Sequence, residues 1–228
     1  MKIKFGSIVA DGRGKIGGHV MSKNRGGSYL RTKVTPVNPR SVSQTNVRQR
    51  FATLSSGWRS LSQSSRDAWT ASTAGFQKSD IFSDLRNLTG LQLYQRLNNN
   101  LLSSGGSVIT SPAPNKGVAS VILSSMTYTS GTPALTAIHT TPVPASTRIK
   151  VFATPPLSPG INFVKSQLRQ ISTIAPAATS PYNALSAYTT KFGAVGAVGT
   201  KIFIGFVVVD QTSGLSSPMQ IVSVISAT

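Results

Sequence analysis

The chain has no cysteine and no glutamate, and only five aspartates and two histidines among its 228 residues. Without thiols there is no disulfide scaffold, no thiolate zinc site and no cysteine nucleophile. So few carboxylates and imidazoles leave little for acid–base catalysis or metal ligation. No apolar run approaches the roughly 20 residues of a membrane span. The opening MKIKFGSIVADGRGK has no hydrophobic region of signal-peptide length, so a soluble protein made in the cytoplasm is expected.

The few acid–base groups do not form a constellation. His19 lies in a glycine-rich stretch and His139 in a β-branched run, so a surface or sheet-face position suits each. Asp11 reads as a turn residue, Asp67 as a first-turn helix residue favoured by the dipole, and Asp210 as a strand-end residue. The string GRGKIGG fails as a phosphate loop. Only one residue separates Gly12 from Gly14-Lys15, and Ile16 stands where a hydroxyl is required. No catalytic residue, cofactor site, metal site or small-molecule substrate is expected.

What the chain has in excess is positive charge: 23 Lys and Arg give a formal net charge of +18. Eleven of them fall in the first 50 positions: Lys2, Lys4, Arg13, Lys15, Lys23, Arg25, Arg31, Lys33, Arg40, Arg48 and Arg50. No fold needs such an imbalance, and self-repulsion makes it a cost to the free chain. These residues are either a solvated surface or the binding face for an acidic partner, nucleic acid or protein.

The organising stretch is Pro39 to Gly75, which reads as two helices. Val47, Phe51, Leu54, Trp58 and Leu61 form one apolar stripe at helical spacing, with Arg48, Arg50 and Arg59 off it. Ser62 is the expected N-cap of the second helix, and Gly57 inside the first implies a close contact or a bend. Trp58 and Trp69 read as core residues rather than base-stacking platforms. Thr89 is the expected cap of a third helix that Gly105-Gly106 stop, closing a helical segment over 39–106.

Before the helices, residues 1–38 form a basic, glycine-rich arm. Short apolar alternations are split at Asp11-Gly12 and Asn24 to Gly27, predicting small hairpins, and Tyr29, Arg31 and Lys33 would share one strand face. The arm is poor in large apolar residues and is expected to order against a partner. After the helices, Pro112 and Pro114 mark 107–116 as a linker. Over 117–228, seven β-branched runs are expected as strands: 118–123, 135–140, 147–154, 163–173, 185–192, 201–210 and 219–225. In one of them Arg148 and Lys150 alternate with Ile149 and Val151, as in a strand with one solvated face. The expected fold class is α+β, an arm and helical segment followed by an immunoglobulin or fibronectin III-like sandwich.

The run from Arg13 to Trp69 carries a glycine-rich basic start, Gly27-x-Tyr29-x-Arg31, the Asn38-Pro39 turn, Trp58-Arg59-x-Leu61 and Arg66-x-Ala68-Trp69. In these features it resembles the amino-terminal part of small structural proteins of tailed bacteriophages and prophages, over about a third of the chain. The resemblance implies a virion setting and no particular chemistry. The expectation is an auxiliary capsid or portal-vertex protein that is not an enzyme, present in multiple copies, with capsid or portal subunits as partners and no membrane contact. The alternative is non-specific DNA binding during packaging or inside the head.

Overall fold

The computed structural model describes residues 1–6, 12–24, 27–79, 85–118, 121–139 and 143–227. The chain is mixed α+β and separates into two compact units, Met1–Thr45 and Asn46–Thr228, each described by itself.

The first unit is an antiparallel meander of β1 (Gly14–Ile16), β2 (His19–Asn24) and β3 (Gly27–Thr32). Gly17, at φ 54°, supplies the left-handed backbone that a two-residue turn between β1 and β2 needs. Met1 to Ile3 runs along the free edge of β3, through bonds from Leu30 N–H to Met1 C=O at 2.8 Å and from Ile3 N–H to Ser28 C=O at 3.0 Å. The expected Asp11 turn and Arg25 lie outside the described residues.

The second unit begins with α1 (Val42–Ser60, whose first turn contains the division), α2 (Gln63–Ala71) and α3 (Gly90–Ser103). Ser62 caps α2 by accepting from Ser65 N–H at 3.2 Å and Thr89 caps α3, both as the sequence predicts, and Gln92 completes a capping box with Thr89. At the other end of α3, Gly105 at φ 80° lets the Gly106 N–H return to Leu101 C=O at 2.8 Å, a Schellman closure. Leu54, Trp69, Phe76, Leu93, Tyr94 and Leu97 form the helical core, with Trp69 edge-on to Tyr94 at 5.3 Å between ring centres. Trp69 is fully buried. Gly57 meets the close contact expected of it, since a Cβ there would lie 2.9 Å from the Tyr94 hydroxyl. The apolar stripe of α1 joins the core only in its second half, because Val47 and Phe51 stay 40% and 42% exposed.

Residues 107–116, read as a linker, are tied to the helical segment by side-chain hydrogen bonds. Asn98, fully buried, accepts from Ile109 N–H at 2.7 Å and donates to Ile109 C=O at 3.2 Å. Trp69 Nε1–H donates to Thr110 C=O at 2.7 Å, and Asn115 Nδ2–H to Gly75 C=O at 2.6 Å.

After the short β4–β5 pair (Lys78–Ser79 with Leu85–Arg86), two larger sheets share one apolar core. One contains β6 (Leu123–Thr129), β7 (Ala134–His139) and β10 (Tyr182–Asn183) in the order β10-β7-β6. The other contains β8 (Thr147–Ala153), β9 (Arg169–Ile174), β11 (Lys201–Asp210) and β12 (Gln220–Ile225) in the order β12-β11-β8-β9. All neighbours are antiparallel. Leu135, Ala137, Tyr128, Ile149, Val151, Ile204 and Phe206 are among the residues that meet between them.

Three expected strands differ. Of the described residues of the 118–123 run only Leu123 is strand, and β6 runs on from it to Thr129. The 185–192 run is a helix, α4 (Leu185–Phe192). The Asn183 side chain accepts from Leu185 N–H at 3.0 Å, which opens a helical turn, and Tyr188 then lies four residues before Phe192 with rings 5.1 Å apart. Here spacing outweighs β propensity. Of the 163–173 run only the end is strand, and Phe163 is 97% exposed in the loop before it. A further departure concerns the solvated face expected of β8. The end of α3 covers it, so Lys150 is only 9% exposed, with Nζ donating to Ser103 Oγ at 3.2 Å.

Candidate functional site

The meander of the first unit sorts the basic residues by pleat. Lys2 opposes Tyr29, which opposes Ser22; Arg31 opposes Val20, which opposes Lys15. Directly opposed residues share a face, and residues two apart on a strand share it too. Lys2, Lys15, Tyr29 and Arg31 therefore stand on one side. Lys33 follows Arg31 just beyond β3, its N–H bonded to Gly18 C=O at 2.8 Å, and Lys4 is exposed two residues past Lys2. The expected grouping of Tyr29 with Arg31 is present and gains Lys2 and Lys15 from other strands.

The opposite face carries Met21 opposed to Leu30, with Phe5 close by: a Cβ on Gly12 would touch both the Phe5 ring at 3.0 Å and Met21 Cε at 3.1 Å. Lys23, opposite Ser28, is on this side. Among the described residues of Met1–Thr45 none is buried. The hydrogen-bonded sheet exists, and no core lies beneath it among the described residues.

The remaining expected cations are elsewhere. Arg13 precedes β1 and is exposed. Arg40, at φ 47°, follows the Asn38-Pro39 turn, where its N–H donates to Asn38 Oδ1 at 3.2 Å. Arg48 is exposed on α1, and Arg50 is half-buried on α1 beside a cleft lined also by Asn46, Gln49, Thr53, Ser103 and Gln170. Arg25 is outside the described residues.

His139 is buried in β7, whereas His19 is exposed on β2. Asp67, expected in the first turn of its helix, sits in the second turn of α2 and accepts from Gln63 Nε2 at 2.8 Å. Asp210 ends β11 and accepts from Thr212 N–H at 3.1 Å and Ser213 Oγ at 2.6 Å, shaping the turn after it. Among the described residues no three His, Cys, Asp or Glu side chains gather where they could hold a metal ion. None of the described helices is long and apolar enough to cross a membrane.

Lys150 is the cation that sequence reading missed. Alternation with Ile149 put it on a wet face, and the only sequence sign otherwise was the serine-rich end of the third helix, Ser103-Ser104. Burial, then the nearby charge of Arg50, lowers its pKa from the ordinary lysine value. Compared with protein-family models, curated proteins and solved structures, the chain matches none.

Proposed function

We propose that this is a non-enzymatic bacteriophage virion protein, an auxiliary capsid or portal-vertex component that attaches to the particle through its basic amino-terminal unit. The observation that carries the attachment is a paired sheet with Lys2, Lys15 and Arg31 on one face, Met21 and Leu30 on the other, and no buried residue among those described. Sheets of this size are marginal in water unless one face is covered. Covering the Met21–Leu30 face by a neighbouring subunit supplies the missing core, and the Lys2–Arg31 face then meets acidic surface. The virion setting comes from the phage-like features between Arg13 and Trp69.

In the same reading, 117–228 is an immunoglobulin or fibronectin III-like sandwich serving as a rigid module. Its support is seven antiparallel strands split three and four, with the chain passing between sheets after β7, β9 and β10, as Greek-key sandwiches do. The helix between β10 and β11 is an addition to that plan.

The test is co-sedimentation of tagged full-length protein with particles in a lysate of productively infected cells. The protein is expected in the particle fraction, and a Met21→Ser, Leu30→Ser double variant in the soluble fraction. Wild-type protein found only in the soluble fraction overturns the proposal.

The second reading, binding of DNA in packaging or in the head, is favoured by Tyr29 standing among Lys2, Lys15 and Arg31, an aromatic platform bordered by cations. Five phosphate contacts would give a slope of about −4.5 in log K against log salt. A gel shift with that slope, lost in Tyr29→Ala, supports it; no shift of duplex or single strand near 0.1 M salt removes it.

A further inference from the structure

The cleft beside Arg50 lies within the second unit, among α1, α3 and β9, and has a volume of about 560 Å³. Apart from Leu102, every lining side chain is polar or cationic: Asn46, Gln49, Arg50, Thr53, Ser103 and Gln170. No described carboxylate lines it, since Asp67 and Asp210 are engaged in their own turns. Arg50 Nε is buried and has no hydrogen-bond acceptor. Behind the wall stands Lys150, whose Nζ donates to Ser103 Oγ.

Two cations held together with their solvation reduced cost free energy unless negative charge compensates. The carboxyl end of α3 supplies part of it, and it is also where Arg148 donates to Ser104 C=O at 3.4 Å. That end is worth roughly half an elementary charge. Against Arg50, Lys150 and Arg148 the balance stays positive. A guanidinium N–H without an acceptor, in a cleft whose other walls offer amide and hydroxyl donors, matches a ligand with several anionic oxygens.

We propose that this cleft binds the phosphate group of a phosphate-bearing ligand, with Arg50 donating to it, Asn46, Gln49, Thr53 and Gln170 completing its hydrogen bonds, and Lys150 adding charge through Ser103. The volume exceeds what one phosphate fills and leaves room for the remainder of an ester. The source is free phosphate or a nucleic-acid phosphodiester. This site is independent of the attachment reading, because it uses none of the meander.

The experiment follows the Arg50 Nε–Hε resonance of the full-length protein by ¹⁵N NMR during titration with inorganic phosphate, with a thymidine dinucleotide, and with sodium chloride and acetate at matched ionic strength. A saturable shift with phosphate or the dinucleotide, absent with chloride and acetate, is the expected result, and whichever titrant acts at lower concentration identifies the source. Arg50→Gln should weaken binding at least tenfold and Lys150→Met several-fold, while Lys2→Gln, Lys15→Gln, Arg31→Gln changes nothing. No saturable shift by about 10 mM of either phosphate, beyond the weak end of specific affinities, overturns the site. Equal shifts with chloride or acetate overturn it as well. The wild-type titration decides even if a variant fails to fold.

Discussion

At Gly90, the first residue of α3, an added Cβ would lie 2.6 Å from Thr70 Oγ1, 3.1 Å from Thr70 N and 3.1 Å from the Trp58 ring. Backbone is among those neighbours, so the strain cannot be relieved by one side-chain rotation. Gly90→Ala should destabilise the fold by about 2 kcal/mol, as overpacking does, despite alanine's better helix propensity. Chemical denaturation measures it; an unchanged midpoint would mean that α2 and α3 pack more loosely than described. Lys150 gives a second residue-scale prediction. Its folded pKa is below the ordinary value, so the unfolded chain binds more protons just below pH 10.5, and this group makes stability rise as pH rises through that window. Burial raises the pKa of Tyr94 and Tyr188, which pulls stability the other way above pH 10. Comparing wild type with Lys150→Met cancels the tyrosines. In phosphate-free buffer the variant should be about 1 kcal/mol more stable at pH 7, with the gap closing toward pH 10.5. Ser103 Oγ keeps its bond to Asn100 C=O in the variant, so no new orphan is created.

At the scale of elements, the pinning of 107–116 can be undone. Asn98→Ala removes both bonds to Ile109 and leaves its half-buried N–H and C=O without those partners, at a cost of about 1 to 2 kcal/mol. Limited proteolysis should leave wild type uncut between 107 and 116 and cut the variant there. Cleavage of wild type at that stretch would show the four bonds too weak to hold it. These elements also show where sequence was informative. Caps were legible because Ser62, Thr89 and Gly105 act on groups one to five residues away. Strands such as β8 and β11 were legible from their β-branched runs. The helix at Leu185–Phe192 was not, since Tyr and Thr favour strands and only the Asn183 turn reverses the preference. Nor was the burial of Lys150, which depends on α3, nearly fifty residues earlier in the chain, covering that face. The face grouping of Tyr29 and Arg31 followed from alternation alone, but Lys2 and Lys15 joined it only through strand pairing.

For the whole molecule, charge and core are unequally shared. Met1–Thr45 holds nine Lys and Arg against one Asp, and among its described residues none is buried. Asn46–Thr228 holds both apolar clusters. Folding stability should therefore belong to the larger unit, with the smaller one ordered by what it touches. Amide hydrogen exchange on the free, full-length protein in dilute solution measures this directly. The account predicts rapid exchange at β1, β2 and β3 alongside slow exchange at β8, β11 and α3. Protection of Met21, Tyr29 and Leu30 amides as strong as that of Ile204 or Leu97 would contradict it, because a sheet so protected would not need a partner to cover it.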